Sequence, residues 1–145
     1  MFIIYDLIFL AAVVIYAPIY LFRKKFHSGF IRRLGILPAN LGLGRPIWIH
    51  AVSVGEAITI RGLVEELRVA YPAQKIVIST VTATGNKIAR GLAKAGDFVT
   101  YLPLDFSFIV RSVINKIRPS LLILAETEIW PNLISYLATR NIPII

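Results

Sequence analysis

Short apolar runs alternate with helical patterns from residue 47 to the end of this 145-residue chain. The runs are rich in β-branched residues and show no polar alternation, so each predicts a strand that is buried on both faces. Between them, apolar residues recur at helical spacing. Strands joined by helices predict an α/β fold with a Rossmann-like parallel sheet over 47–145. The predicted strands cover 47–52, 75–80, 98–102, 120–126 and 142–145, and the predicted helices cover 56–70, about 85–95, 107–117 and the segment from Pro131.

Residues 1–22 are almost wholly apolar and carry one charge, on Asp6. About 20 such residues span a hydrocarbon core as a helix, so the segment predicts a membrane-anchor helix that spans the bilayer or lies in its surface. A cleaved secretory signal fits less well, because the positive charges follow the apolar segment instead of preceding it. The third alternative is a buried or interfacial helix of a soluble domain.

The basic excess of the chain lies beside this helix. The sequence has 16 Lys and Arg against 8 Asp and Glu, and the segment 23–45 holds six of the basic residues and no acid. Such a collar favours a cytoplasmic domain attracted to anionic lipid headgroups, and it argues against a nucleic-acid partner. Gly and Pro in its second half complete the prediction of a basic juxtamembrane linker at 23–46. The side chains predicted to contact headgroups are Arg23, Lys24, Lys25, Arg32 and Arg33.

Several kinds of site are excluded by composition and motif. The chain has no cysteine, which excludes a disulfide scaffold, thiolate catalysis and a Cys-ligated zinc site. Its two histidines are far apart in sequence, so we expect no histidine metal site. Neither GxGxxG nor GxxxxGK[ST] occurs, and no nucleotide-phosphate motif is therefore present.

In a parallel α/β sheet, ligands bind beyond the carboxyl ends of the strands. There the first strand is followed by Ser53-Val54-Gly55-Glu56. One interpretation is structural: Ser53 caps the next helix, and Glu56 three residues later completes a capping box. In the other, Gly55 lets a substrate approach the backbone and Glu56 acts as a general base. The spacing alone leaves both interpretations open.

The fourth predicted strand ends in a second acidic pair, Glu126 and Glu128. Residues two apart in a strand point to the same face, so this pair is either part of a site or a solvated acidic loop before the next helix. We expect Trp130 to pack in the core rather than to stack on a sugar. We expect His50, within the first strand, to be a satisfied core histidine or to support a site residue.

Four motifs occur in a specific order and spacing. They are IHAVSVGE at 49–56, STVTATGN at 79–86, YLPLD at 101–105 and LAETEIWPN at 124–132. With the apolar amino terminus, they resemble the amino-terminal domain of the 3-deoxy-D-manno-octulosonic acid (Kdo) transferase family, which attaches Kdo to the lipid A precursor in Gram-negative bacteria. The resemblance implies the amino-terminal half of a GT-B glycosyltransferase fold, in which two Rossmann-like domains face each other across a cleft.

The resemblance also implies roles for individual residues. Glu56 would be the base that deprotonates the acceptor hydroxyl, and Glu126 would be the second essential acid, which shapes the acceptor site or supports the base. Catalysis would invert the anomeric centre without a metal or other cofactor. The acceptor-binding residues would be Ser53, Gly55, Thr80, Thr84, Gly85 and Glu128.

The donor-binding domain of the family lies outside these 145 residues. The expected partners are therefore a carboxyl-terminal domain that binds CMP-Kdo, the lipid A precursor, and anionic lipids of the bacterial inner membrane, on its cytoplasmic face. We expect the 145-residue chain to be inactive alone, as a fragment, a split-gene product or one part of a two-component enzyme. Two other functions stay open: a non-catalytic module that binds a lipid-linked saccharide, and a GT-B transferase for another nucleotide sugar.

Overall fold

The computed structural model describes residues 2–22, 29–126 and 128–145, and it contains six helices and four strands in these ranges. The four predicted strands from 47 to 126 and the helices between them are all present, with ends shifted by a few residues. In chain order the elements are α1 Phe2–Phe22, α2 Phe30–Arg33, β1 Ile47–His50, α3 Val54–Ala70, β2 Ile76–Thr80, α4 Ala83–Leu92, β3 Phe98–Tyr101, α5 Ser107–Ile117, β4 Leu121–Leu124 and α6 Pro131–Thr139.

The sheet is parallel throughout and has the order β3-β2-β1-β4. The predicted last strand appears as a parallel bridge between Leu122 and Ile144, and the Leu122 N–H donates to the Pro143 carbonyl over 3.0 Å. The end of the chain thus lies beside β4. The prediction of a parallel α/β sheet is confirmed.

Two apolar clusters cover the two faces of the sheet. On one face Trp48, Val77 and Leu122 pack with residues of α5 and α6. On the other, Ile49 and Ile78 pack with residues of α3 and α4. Burial on both faces explains why the strands are continuously apolar in sequence.

The described part of the predicted linker, residues 29–46, packs against the sheet domain. Leu37 and Leu43 are buried in the same cluster as Trp48, because the chain folds back over α5 before it enters β1. The Arg32 guanidinium donates to the Val99 carbonyl over 2.9 Å, and that of Arg33 donates to a carbonyl in the chain after β3. Arg33 is buried, so it is not presented to a membrane surface as predicted. Arg23, Lys24 and Lys25 lie outside the described residues.

The predicted amino-terminal helix is present as α1 and contacts the domain through its one charged residue. Asp6 accepts hydrogen bonds from the Ser107 N–H at 3.0 Å, the Ser107 hydroxyl at 2.5 Å and the Asn132 amide at 2.8 Å. The Phe9 ring meets the Phe106 ring edge-on at 5.0 Å between centroids. In the ranges described, no helix is both long enough and apolar enough to cross a membrane.

Candidate active site

The chain changes direction across the sheet at β1, which makes the carboxyl end of β1 a topological switch point. From β1 the chain runs outward through β2 to β3 on one side, and it then returns to β4 on the other. Ligands of doubly wound sheets bind in the crevice that such a reversal leaves. Ser53 and Glu56 follow β1, while Glu126 and Glu128 follow β4, so both acidic segments border this crevice.

Glu56 is held rigidly at the start of α3. Its two carboxylate oxygens accept the Val52 N–H at 2.7 Å and the Ser53 N–H at 3.1 Å. The Glu56 N–H in turn donates to the Ser53 hydroxyl over 3.4 Å, which completes the predicted capping box. The Glu56 side chain is 8% exposed. The capping box therefore fixes the carboxylate at the rim of the crevice, and the structural and functional interpretations are compatible.

The acidic pair after β4 splits into two different environments. Glu126 is exposed, whereas Glu128 is half-buried. The Glu128 carboxylate accepts the indole N–H of Trp130 at 2.9 Å, and the same oxygen lies 3.7 Å from His50 Nε2. The fold thus brings Glu128, rather than Glu126, next to a residue of β1.

His50 is part of this cluster, and its ring makes fewer hydrogen bonds than we predict for a satisfied core histidine. It is 2% exposed, and among the described residues its Nε2 atom has no hydrogen-bond partner. Burial, the largest cause, and the nearby Arg33 both lower the pKa of His50, and the net value is about 4. The Ser79 carbonyl and Glu56 oppose this shift but do not outweigh it, so the ring is neutral at pH 7.

Several neighbours act on the tautomer of His50. The Trp48 indole is only a donor, so the Ser79 hydroxyl oxygen accepts its N–H at 2.8 Å. That oxygen lies 2.9 Å from His50 Nδ1 and can still donate its own hydrogen or accept another. The Ser79 carbonyl, 3.0 Å from Nδ1, has a second lone pair beside the one that accepts the Ala51 N–H, so these bonds suit either tautomer. The Glu128 carboxylate, 3.7 Å from Nε2, favours the ring proton on Nε2 by electrostatics.

Of the predicted acceptor-binding residues at the end of β2 and the start of α4, Gly85 lies against the loop after β1. Thr82 caps α4 by accepting the Gly85 N–H at 3.1 Å. A Cβ on Gly85 would lie 2.9 Å from the Thr82 hydroxyl oxygen and 3.3 Å from the Ser53 carbonyl oxygen. Gly85 thus lets α4 approach the Ser53 loop. Thr80 is buried and Thr84 is exposed.

Gly55 is exposed at the second position of α3. A Cβ at this position would meet only the Ser53 hydroxyl oxygen, at 3.8 Å. The backbone here is therefore open on the crevice side of the capping box, as a close approach by a ligand requires.

A second polar cluster, which the sequence analysis did not assign, lies behind the crevice. Asp105 is buried and accepts the Asn132 and Leu133 N–H groups at 3.0 and 2.9 Å, so it caps α6 from the chain after β3. The Asn132 amide also reaches Asp6. The YLPLD and EIWPN motifs therefore meet each other across 27 and 28 positions and meet α1 across more than 100, so these contacts leave no local signal.

A comparison with known protein families identifies the family of this chain. The family described as 3-deoxy-D-manno-octulosonic-acid transferase (kdotransferase) matches residues 28–145. The chain belongs to this family. The match covers every element from α2 to the bridge at Ile144, and with it both acidic segments of the crevice.

Relatives of this chain include several Kdo transferases. The 3-deoxy-D-manno-octulosonic acid transferase of Haemophilus influenzae is 44% identical over 99 residues, which cover 68% of this chain and 23% of the relative. That of Chlamydia pneumoniae is 32% identical over 90% of the chain and 31% of the relative. A bifunctional glycosyltransferase/methyltransferase of Fusobacterium nucleatum is 35% identical over 97% of the chain and 22% of the relative. The chain thus spans less than a third of the length of these relatives.

Proposed function

We propose that this chain is the acceptor-binding half of an inverting glycosyltransferase that moves Kdo from CMP-Kdo to the lipid A precursor. A carboxyl-terminal domain of the longer protein would bind the donor. The observation that carries the proposal is the Glu56 carboxylate, which a capping box holds at the switch point of the sheet. Membership of the Kdo transferase family supports this reaction.

Glu56 has the properties required of a general base for the acceptor hydroxyl. CMP is a good leaving group, so positive charge develops on the sugar as the bond to CMP breaks, and a base makes the attacking oxygen more nucleophilic. Each Glu56 oxygen accepts one backbone N–H. A carboxylate offers about four lone-pair sites, so sites remain for the acceptor hydroxyl. Because the backbone fixes the carboxylate, little reorganisation is needed at the moment of transfer.

Glu128 is proposed to orient the acceptor from the other side of the crevice. Its contacts with Trp130 and His50 hold it at the end of β4. Glu126, which is exposed in the same loop, would contact the acceptor or the donor domain once the cleft closes. In this proposal the base lies in the segment after β1, and the acceptor-binding glutamates lie in the segment after β4.

The proposal is tested by Glu56→Gln in the full-length protein, with CMP-Kdo and lipid A precursor as substrates. Loss of a general base lowers the rate by about 10²–10⁴-fold. Glu66→Gln is the matched control, because Glu66 is an exposed glutamate of the same helix. Transfer at the wild-type rate by Glu56→Gln would refute the assignment of the base. Acceptor binding without transfer by the wild type would favour the non-catalytic module instead.

We also propose that the protein attaches to the cytoplasmic face of the bacterial inner membrane through α1. The side of α1 turned away from the domain exposes a row of large apolar side chains: Ile3, Ile4, Leu7, Ile8, Leu10, Val14 and Ile15. Burial of each such side chain in lipid contributes about 1.5–3 kcal/mol. The basic residues at 23–25 add attraction to anionic headgroups.

Vesicle flotation tests this attachment. The wild-type protein is expected to float with vesicles of phosphatidylglycerol and phosphatidylethanolamine, and the double variant Ile4→Asn/Ile8→Asn to remain largely in the aqueous fraction. Ile58→Asn/Val69→Asn, which changes two exposed apolar residues of α3, is the matched control and should float like the wild type. Equal flotation of both double variants would contradict the attachment through α1.

A further inference from the structure

An apolar cavity lies between α1 and the sheet domain. Its volume is about 300 Å³, at the lower end of the range for small-molecule sites. The α1 wall includes Phe9, Ala12 and Val13, and the opposite wall includes Leu104 and Trp130. Arg33 is the one charged side chain among the described lining residues.

The cavity results from the way in which α1 packs against the sheet domain. Asp6 holds the start of the helix to Ser107 and Asn132, and Phe9 then packs against Phe106. One turn further along, α1 presents the small side chain of Ala12, so the helix and the domain are joined at one end and separated by the cavity beyond it. Ordered water gains little in such a space, because a buried water requires two or more polar partners.

Trp130 connects this cavity with the candidate active site. Its ring lines the cavity, while its indole N–H donates to Glu128 at 2.9 Å. A ligand that fills the cavity therefore ends one side chain away from the Glu128 carboxylate. A molecule that uses both places needs an apolar part and a polar part, and an anionic group on it would be complementary to Arg33.

We infer that the cavity binds one hydrocarbon chain of the lipid acceptor and thereby sets the position of the acceptor's sugar hydroxyl against Glu56. This inference rests on the proposed function, because it takes the acceptor to be a lipid-linked saccharide. It assigns to α1 a role in acceptor recognition that is distinct from attachment to a membrane. The face of α1 that would contact lipid is the opposite one.

Binding of a hydrocarbon chain to the cavity is tested first, with a probe that contains no sugar. The probe is 11-bromoundecyl phosphate below its micelle concentration, since bromine quenches tryptophan fluorescence only at contact. The chain has two tryptophans, and Trp48 is fully buried inside the sheet. Quenching is expected to saturate in the wild type and to disappear in Trp130→Phe. Quenching that survives in Trp130→Phe, or none in the wild type, overturns the inference.

Two adjacent alanines provide the matched pair of variants. Ala12 lines the cavity, while Ala11 is exposed on the other side of the same helix turn. Ala12→Phe is expected to raise the dissociation constant of the probe at least tenfold, and Ala11→Phe to change it less than twofold. Equal constants overturn the inference. If Ala12→Phe does not fold, Val13→Phe takes its place beside the same Ala11→Phe control, because Val13 also lines the cavity.

Transfer kinetics in the full-length protein separate this inference from the proposed function. With an acylated acceptor, Ala12→Phe should raise KM at least fivefold and leave kcat unchanged. With a de-acylated acceptor it should change neither. Normal KM for both acceptors in Ala12→Phe would refute the chain site while the transferase proposal stands. Probe binding together with no transfer by the wild type would refute the transferase proposal alone.

Discussion

Among the individual residues, His50 has the environment with the largest chemical consequences. It is buried between Ser79, which supplies a hydrogen bond to Nδ1, and Glu128, toward which Nε2 points. The neutral imidazole thus lies between Ser79, which is inside the sheet, and the Glu128 carboxylate, which borders the crevice. His50 is therefore a positioning residue for Glu128, since nothing places it against the acceptor itself.

The tautomer of His50 is measurable. We expect the ¹⁵N spectrum at pH 7 to show a neutral ring with the proton on Nε2, because Nε2 faces the Glu128 carboxylate at 3.7 Å. The only other histidine is His27, so His27→Gln identifies the signals of His50. Ser79→Ala removes the hydroxyl and should shift the proton toward Nδ1. A ring protonated on Nδ1 in the wild type would contradict the assignment.

The lowered pKa of His50 predicts how stability depends on pH. An unfolded histidine titrates near 6.5, whereas the folded state keeps His50 neutral down to about 4. The unfolded state therefore binds the proton first, and the free energy of unfolding falls by on the order of 3 kcal/mol as pH drops from about 6.5 to 4. Denaturant unfolding of the wild type and His50→Gln across this range measures the difference.

Asp105 contributes to the pH dependence of the free energy of unfolding in the opposite direction, and it does so in both the wild type and His50→Gln. Burial raises the pKa of Asp105, although the Asn132 and Leu133 N–H groups oppose the shift. Its folded state therefore binds a proton more tightly than its unfolded state, and this contribution to stability grows as pH falls through the raised pKa. Because Asp105 is present in both proteins, its contribution cancels in the difference between wild type and His50→Gln. Parallel pH profiles for the two proteins would contradict the buried neutral histidine.

At the scale of elements, Gly85 controls how closely α4 approaches the loop after β1. Gly85→Ala is expected to lower the free energy of unfolding by about 1–3 kcal/mol, because the new methyl meets Thr82 and the Ser53 backbone. Gly91→Ala in the same helix is the control: nothing described lies within 4 Å of its Cβ position, and alanine should stabilise the helix by about 0.5–1 kcal/mol. Chemical denaturation distinguishes the two. Similar effects of both changes would refute the close approach.

The docking of α1 depends on Asp6. Asp6→Ala leaves the first N–H of α5 without its side-chain acceptor and removes one of the two acceptors of the Asn132 amide, and loss of a helix cap costs about 0.5–2 kcal/mol. We expect faster amide hydrogen exchange at the start of α5 and α6, and non-additivity with Ser107→Ala in a double-mutant cycle. Ser112→Ala, at an exposed serine of the same helix, should be additive with Asp6→Ala. Additivity with Ser107→Ala would contradict this contact.

For the whole molecule, the chain from residue 29 to β1 belongs to the packed domain. Leu37 is 6% exposed and lies in the cluster that α5 and α6 form on the sheet. Leu37→Ala should therefore cost about 2–5 kcal/mol of unfolding free energy. Leu34→Ala, at a leucine that is 40% exposed three residues earlier, should cost much less. Equal small effects would restore the linker interpretation of this segment.

Local sequence patterns were sufficient to predict the strands and helices of the sheet domain. Burial on both faces makes parallel strands continuously apolar, and the helices between them keep their own period, so both elements are visible in windows of a few residues. The Ser53–Glu56 capping box was predictable for the same reason, because its partners are three positions apart. The segment 34–46 has no period, and its Gly and Pro residues predicted a linker although two of its leucines are buried.

The sequence by itself determined the fold class and, through four ordered motifs, the family, and it gave the capping box at Glu56 as one of two interpretations. Only the tertiary structure decided that Glu128 meets His50, that Asp6 docks α1, and that an apolar cavity adjoins Trp130. The physical reason is distance along the chain. Hydrogen bonds within a turn impose a local spacing, whereas Asp6 and Ser107 are 101 positions apart, and contacts at that separation arise only after the sheet has brought the elements together.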